Sequence, residues 1–187
     1  LFRNEEDANR NSARIRIYQR KNQLLSTTLP ILDNFGLSIV DQNAYRIRPS
    51  SGDVFTIDTF QVHGVYDDQH PLIRNREGFL EALRAIFINK LSSDGLDRLV
   101  IEVGLSSQDV DLIRNQLHYM HQLGLSTTVA FASDTLCQHP AFTNKLLDYY
   151  RTRFDPSLDV DMGEREKLAE DIYEDLQRKL IEVRSSA

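Results

Sequence analysis

The apolar residues of this chain change their spacing partway along it, and this change limits the possible folds more than any other feature. Residues 14–20 alternate, with Ile15 and Ile17 on one side, as on a strand with one buried face. After residue 78 the spacing becomes helical, with Leu80, Leu83 and Phe87 on one stripe. The sequence therefore predicts an α+β chain in which a small sheet comes first and a mostly helical segment follows.

The N-terminal residues set the start of the sheet. Residues 1–13 are polar without a sustained period, which predicts a flexible lead-in. After the first strand, Ser26, Thr27 and Thr28 are possible N-caps of a helix that tolerates Pro30 in its first turn and ends at Gly36. The first two elements are thus a strand and a short helix.

A hairpin follows the helix. The second strand is indicated by apolar residues of odd number, namely Leu37, Ile39, Tyr45 and Ile47, and a Pro-Ser-Ser-Gly turn leads into the third, VFTIDTFQV. In that third strand the apolar positions slip from odd to even near Asp58 and Thr59, which predicts a bulge or a strand end there. Strand, helix, strand and strand form the opening of a ferredoxin-like unit.

The helical segment begins with an ambiguous stretch, RLVIEVGL, which has a strand-like and a helix-like reading. We favour the helix because Asp94 can cap its start and Gly104 its end, with the next helix beginning at once after Ser106. Further helices are predicted to end at Gly124, to flank Pro140, and to run over about residues 164–184. The buried stripes predicted for the last two helices are Phe142, Leu146, Leu147 and Tyr150, then Leu168, Ile172, Leu176 and Leu180.

The composition of the chain limits which partners and which cellular compartment we expect for it. The chain has 187 residues, 41% of them hydrophobic, and a net charge of −6, which disfavours a nucleic acid as its principal partner but leaves room for a local basic cluster. No apolar run approaches the roughly 20 residues that cross a bilayer. The single cysteine, Cys137, cannot form an internal disulfide. We therefore expect a soluble, cytoplasmic fragment without a membrane partner.

Catalytic and metal sites are poorly supported. His118 and His121 lie three residues apart, with Cys137 and His139 farther on, but this spacing matches zinc sites only loosely. Cys137 lacks a base that a helix would hold beside it. Arg151 and Arg153 fit the C-terminal end of a helix better than an anion site. The sequence predicts no catalytic, cofactor-binding or metal-binding residue.

The loop between the first strand and the first helix is a candidate site for an effector. Its polar candidates are Gln23, Ser26 and Thr27, because N–H groups at a helix N-terminus can hold the carboxylate of an amino-acid effector. The loop contains no glycine that would let a ligand approach the backbone closely. We therefore favour a module that has lost its ligand and keep effector binding as the alternative.

The blocks TTLPILDNFGLSIVDQNAYRI, SDGLDRLVIEVGLSSQDVDLIRNQLHYMHQLGL and TLCQHPAFTNKLLDYYRTRFDP follow one another in that order. Together they resemble the regulatory portion of the large bacterial NAD-specific glutamate dehydrogenases. The resemblance implies an ACT-like (ferredoxin-like) βαββ unit over residues 14–70 and a helical segment over 71–187, of which 71–105 can also complete the ACT-like unit.

The resemblance also implies a function for the parent protein: oxidative deamination of L-glutamate to 2-oxoglutarate with NAD. It implies a downstream dehydrogenase domain in the same chain, a homo-oligomer, and no cofactor in this fragment, since neither GxGxxG nor GxxxxGK[ST] occurs here. We expect an inert regulatory or assembly fragment. The alternative is a free-standing amino-acid sensor.

Overall fold

A computed structural model describes residues 1–20, 24–49 and 54–185, and the side chains up to residue 181. The chain divides into two compact units, Leu1–Ser107 and Gln108–Ala187. The first unit holds a three-stranded sheet with helices, and the second is helical. The α+β class predicted from the sequence is confirmed.

The first thirteen residues are ordered, which differs from the flexible lead-in that the sequence predicts. Helix α1 spans Glu5–Asn9, and Asn4 and Asp7 form a reciprocal capping box at its start. Asp7 is fully buried, and its Oδ1 lies 2.7 Å from Nε of Arg14. Because Oδ1 makes no well-directed hydrogen bond, charge holds this pair. Asp7 and Arg14 are seven residues apart in the chain, and a single contact of this kind produces no repeating pattern in the sequence.

The sheet is antiparallel, with strand order β1-β3-β2. Its strands are β1 (Ser12–Gln19), β2 (Ser38–Ile47) and β3 (Phe55–His63), and helix α2 (Leu25–Asn34) connects β1 to β2. The predicted order of strand, helix, strand and strand is confirmed. Beside β1, on the edge away from β3, Phe2 forms a single antiparallel bridge with Arg14.

The bulge lies in β2 and not in β3, so the predicted irregularity at Asp58 and Thr59 is wrong. Strand β3 alternates without interruption, and its even-numbered residues are the buried ones: Thr56, Asp58, Phe60 and Val62. The register of β2 shifts between Ile39 and Asp41. Because one extra residue reverses the side-chain parity, Tyr45 and Ile47 lie on the opposite face from Ile39 and are exposed.

The sheet is followed first by two helices of the first unit. Helix α3 (Pro71–Arg74) is a single turn, and helix α4 (Arg76–Phe87) buries Phe79, Ala82, Leu83 and Ile86. The Phe79 ring meets the Phe35 ring edge-on, with centroids 5.0 Å apart. Leu80, which the sequence places on the buried stripe, is 38% exposed. The buried face therefore centres on Phe79 and Leu83.

The ambiguous RLVIEVGL stretch is helical, as predicted. A 3₁₀ turn at Gly95–Asp97 leads into helix α5 (Arg98–Glu102), and the Asp94 side chain accepts from the Leu96 N–H at the start. Leu99, Val100 and Ile101 are buried. Gly104 follows with φ +72°, a left-handed conformation that favours glycine at a helix end.

The second unit consists of helices α6 (Ser107–Gln122, which begins one residue before the unit boundary), α7 (Val129–Gln138), α8 (Pro140–Phe154) and α9 (Met162–Ser185). Gly124 ends α6 with φ +86°, and α7 and α8 flank Pro140, both as predicted. Helices α8 and α9 pack on each other. Their most buried residues are Thr143, Leu147, Ala169 and Leu176, whereas the predicted Leu146 and Leu168 are 39% and 40% exposed.

Arg165 of α9 binds the end of α8 and the connection between the two helices. The Arg165 guanidinium donates to the carbonyls of Thr152, Asp155 and Leu158, at 3.3, 2.9 and 2.8 Å. These carbonyls lie at the end of α8 and in the connection after it. The last carbonyls of a helix have no intrahelical donor, and the Arg165 guanidinium supplies N–H donors to them.

Candidate functional site

The predicted effector residues lie in the first turn of α2. Ser26 and Thr27 are both exposed helical residues, and Gln23 lies outside the described residues. The N-cap position belongs to Leu24, whose side chain forms no capping hydrogen bond. The prediction that Ser26, Thr27 or Thr28 caps the helix is therefore wrong, because the helix begins before them.

This turn presents backbone groups of both polarities. Leu25 and Ser26 are the first two helical residues, so their N–H groups have no intrahelical acceptor. Pro30 lies inside the helix, past its first turn, and brings no N–H that could bind the Ser26 carbonyl. A carboxylate can bind at the N–H groups and an ammonium group at the carbonyl, which are the two charged groups of an amino acid.

A buried carboxylate, which the sequence reading missed, lies on the inner face of the sheet. Asp58 is 6% exposed and accepts from Gln19 Nε2 at 2.8 Å and from Gln42 Nε2 at 2.9 Å. The donors come from β1 and β2, on either side of β3. Each oxygen accepts one hydrogen bond, so Asp58 joins β3 to both of its neighbours. Its signal in the sequence is a polar residue at an even, inward position between Thr56 and Phe60.

The histidines and the cysteine do not form a metal site. His118 and His121 belong to α6, Cys137 is half-buried in α7, and His139 precedes α8. Within the described ranges, no group of three or more His, Cys, Asp or Glu side chains is arranged to hold a metal ion. The spacing that the sequence suggested does not become a coordination sphere in the structure.

The two arginines near the end of α8 bind side chains of the second unit. Nη2 of Arg151 lies 2.5 Å from Oδ2 of Asp109. Arg153 lies beside the Tyr149 ring, and its Nη1 is 3.3 Å from the Tyr149 hydroxyl. Both occupy the last turn of α8, as expected for cations at a helix C-terminus. Their contacts are structural.

One carboxylate of the second unit has a shifted acidity. The Ser157 hydroxyl and backbone N–H both donate to Oδ1 of Asp155, at 2.6 and 2.8 Å. These hydrogen bonds lower the pKa of Asp155 from its ordinary value of 3.8, the hydroxyl contributing most. Asp155 stays ionised at neutral pH and shapes the turn after α8.

No helix within the described residues is both long and apolar enough to cross a membrane. The residues of the chain also offer no glycine-rich turn between a strand and a helix of the kind that binds a dinucleotide. We assign no position for NAD in this chain.

Comparison with known families gives two matches in chain order. Residues 1–71 match a family described as "Glutamate dehydrogenase, ACT3 domain", and residues 91–156 match "Glutamate dehydrogenase, helical motif 3". The first match covers the sheet, and the second covers α5 to α8 with the turns between them.

Individual relatives agree with the family matches. The chain is 27% identical over 133 residues to an NAD-specific glutamate dehydrogenase of Halomonas elongata and 29% identical over 156 residues to that of Pseudomonas aeruginosa. A third enzyme of this name, from Mycobacterium tuberculosis, is 26% identical over 142 residues. The matched regions cover 71%, 83% and 71% of this chain but only 8%, 9% and 8% of the relatives.

Proposed function

We propose that this chain, which belongs to the large NAD-specific glutamate dehydrogenase family, is a non-catalytic regulatory and assembly segment of such an enzyme. The observation that carries the proposal is the succession of an ACT3 match and a helical-motif match within 187 residues. Both segments are rich in packing contacts and poor in reactive groups. The parent enzyme then supplies the chemistry, the oxidation of L-glutamate with NAD, from a dehydrogenase domain elsewhere in its chain.

The side chains of the described residues support a structural role. Asp58 accepts from two glutamines, one on each oxygen, and Arg151 and Arg165 bind partners within their own unit. These contacts hold strands and helices together within each unit. We propose that the segment contacts the dehydrogenase domain of its own chain and other subunits of a homo-oligomer.

The experiment that tests inertness measures NAD reduction by the purified chain with L-glutamate. We expect a rate equal to that of the buffer, while an active glutamate dehydrogenase added to the same cuvette shows that the assay works. Turnover that copurifies with the chain and scales with its concentration would contradict the proposal.

A second candidate function is amino-acid sensing at the first turn of α2. The observation that favours it is that the Leu25 and Ser26 N–H groups have no intrahelical acceptor, while Pro30 offers no intrahelical donor to the Ser26 carbonyl. A ligand at 100 times its dissociation constant stabilises a protein by about 2.7 kcal/mol, which a thermal-shift screen of the common amino acids detects. We expect Pro30→Ala to weaken the binding of any such ligand, because an alanine at this position would donate its N–H to the Ser26 carbonyl. A screen without a shift would eliminate this function.

A further inference from the structure

The outer face of the sheet, opposite the buried face that holds Phe60, carries a row of exposed aromatic side chains. Tyr18 of β1 is opposite Ile57 of β3, and Ile57 is opposite Tyr45 of β2. Tyr18 and Tyr45 are 68% and 62% exposed. Adding the two cross-strand spacings places their Cα atoms about 10 Å apart. Tyr18 and Tyr45 therefore lie on the same face of the sheet, with strand β3 between them.

A hollow of about 370 Å³ lies at one end of this row. Tyr18, Ile57 and Phe55 contribute to its walls, and Ile47 closes it from the β2 side. The Arg20 guanidinium lies over the Phe55 ring, 5.9 Å from its centroid. The hollow is wide enough for one flat heterocycle beside an aromatic ring and a cation.

The same part of the sheet concentrates positive charge. The outer face carries Arg14, Arg16 and, just after β1, Arg20, against one carboxylate on the strands, Asp41 of β2, in a chain whose net charge is −6. Arg14 is paired with Glu6 and Asp7. Arg16 and Arg20 form no ion pair among the residues that the structure describes. A polyanion with flat rings complements both the charge and the aromatic surface of this face.

We propose that the outer face of the sheet binds a short stretch of single-stranded nucleic acid. Bases stack on Tyr18 and Tyr45, one of them filling the hollow, while Arg16 and Arg20 neutralise phosphates. Stacking on exposed aromatic side chains of an antiparallel sheet is a general mode of single-strand recognition. A duplex keeps its bases stacked on each other and cannot use the row.

The test is fluorescence anisotropy of the whole chain with a labelled twelve-nucleotide single-stranded RNA at near-physiological salt. We expect Tyr18→Leu to weaken binding about tenfold, because it keeps an apolar side chain but removes the stacking ring. Tyr66→Leu is the matched control, since Tyr66 is 64% exposed but lies outside the sheet, and it should bind like the unaltered chain.

The salt dependence tests the arginines separately. Removing one phosphate contact from a single-strand complex lowers the slope of log affinity against log salt by about 0.7. We expect this change for Arg20→Gln, whereas Arg178→Gln, at a position with a 74% exposed side chain on α9, should leave the slope unaltered.

Three results would overturn the proposal. Equal binding of a duplex of the same length, or binding insensitive to Tyr18→Leu, would reduce the effect to general electrostatics. A mononucleotide that binds as tightly as the RNA would limit the site to a free nucleotide. Self-association of the chain in sedimentation, abolished by Tyr18→Leu and unaffected by RNA, would assign the face to a second protein copy.

Discussion

Asp58 links three strands through two hydrogen bonds, one from Gln19 of β1 and one from Gln42 of β2. A slip of β2 or β1 by one residue would turn the corresponding glutamine to the other face and leave a buried carboxylate oxygen without a donor. The carboxylate therefore helps to fix the register at the end of the sheet where the apolar core thins out.

Replacing this carboxylate should destabilise the first unit. We expect Asp58→Ala to lower the free energy of unfolding by about 2 kcal/mol, because two half-buried glutamine amides lose a charged acceptor. Asp41→Ala is the control, since Asp41 is exposed and its donors among the described residues are its neighbours Gln42 and Asn43, and it should change stability by about 0.5 kcal/mol or less. Urea denaturation of each variant measures both. Equal losses would contradict the role given to Asp58.

Gly104 gives a second test at a single residue. A Cβ there would lie 2.9 Å from Oδ1 of Asn75, whose Nδ2 donates to the Ile101 carbonyl at 2.6 Å. Gly104→Ala should therefore cost about 2 kcal/mol, through left-handed strain and the displaced hydrogen bond. Gly64→Ala, with φ +86° and open space around it, should cost only the strain, about 1 kcal/mol. A difference near zero in urea melts would show that Asn75 moves aside freely.

Sequence patterns could not locate these two residues. The slip of apolar positions in VFTIDTFQV is real, but it has two explanations: a bulge, or an inward polar residue with partners. The sequence predicts a bulge or a strand end and does not indicate the second explanation, because the donors Gln19 and Gln42 lie far away in the chain. The bulge in β2 does not interrupt the odd-numbered spacing of the apolar residues in that strand, so the sequence does not indicate it.

Helix ends, by contrast, were well predicted at the scale of elements. Gly36, Gly104 and Gly124 all take positive φ where the sequence placed helix ends. The signal is local, since a left-handed residue at a helix end favours glycine whatever packs nearby. The face that each helix buries was predicted less well. The predicted buried positions Leu80, Leu146 and Leu168 each lie one residue from a position that is buried in the structure. Residues three and four apart lie side by side on a helix, so the spacing of apolar residues does not distinguish two adjacent faces.

Arg165 should hold the connection between α8 and α9. We expect Arg165→Lys to increase hydrogen exchange of amides at the end of α8 and the start of α9 by about tenfold, since an ammonium cannot reproduce the planar fork that reaches three carbonyls. Arg178→Lys, on the exposed side of α9, should leave exchange unchanged. Unchanged exchange in both variants would show that helix packing alone fixes the connection.

Asp155 makes the same connection sensitive to acid. Its pKa is lowered in the folded chain by Ser157, so its contribution to stability is present above the ordinary value of 3.8 and is lost as pH falls through the lower, folded value. We expect Ser157→Ala to raise the pKa of Asp155 toward 3.8 in an NMR titration. Ser126→Ala, in the α6–α7 turn, should not move it. A pKa that stays low in Ser157→Ala would assign the shift to another cause.

At the scale of the whole molecule, the order of blocks carried more information than any single block. The resemblance to the glutamate dehydrogenases rested on three blocks in sequence, and two family matches confirm it. The candidate effector residues remain a prediction, since Gln23 lies outside the described residues and Ser26 and Thr27 are exposed without a defined cavity. The chain spans 8–9% of its relatives' length, so the regulatory role must be tested within the longer enzyme.

The most direct measurement compares the full-length enzyme with its Leu32→Asp variant, which places a charge in the core of the first unit. We predict that kcat at saturating glutamate and NAD stays within about twofold, while subunit assembly or the response to effectors is lost. Tyr66→Leu serves as the matched control and should alter neither. A variant that assembles and responds normally but loses its turnover would contradict the account, because the segment would then take part in the chemistry.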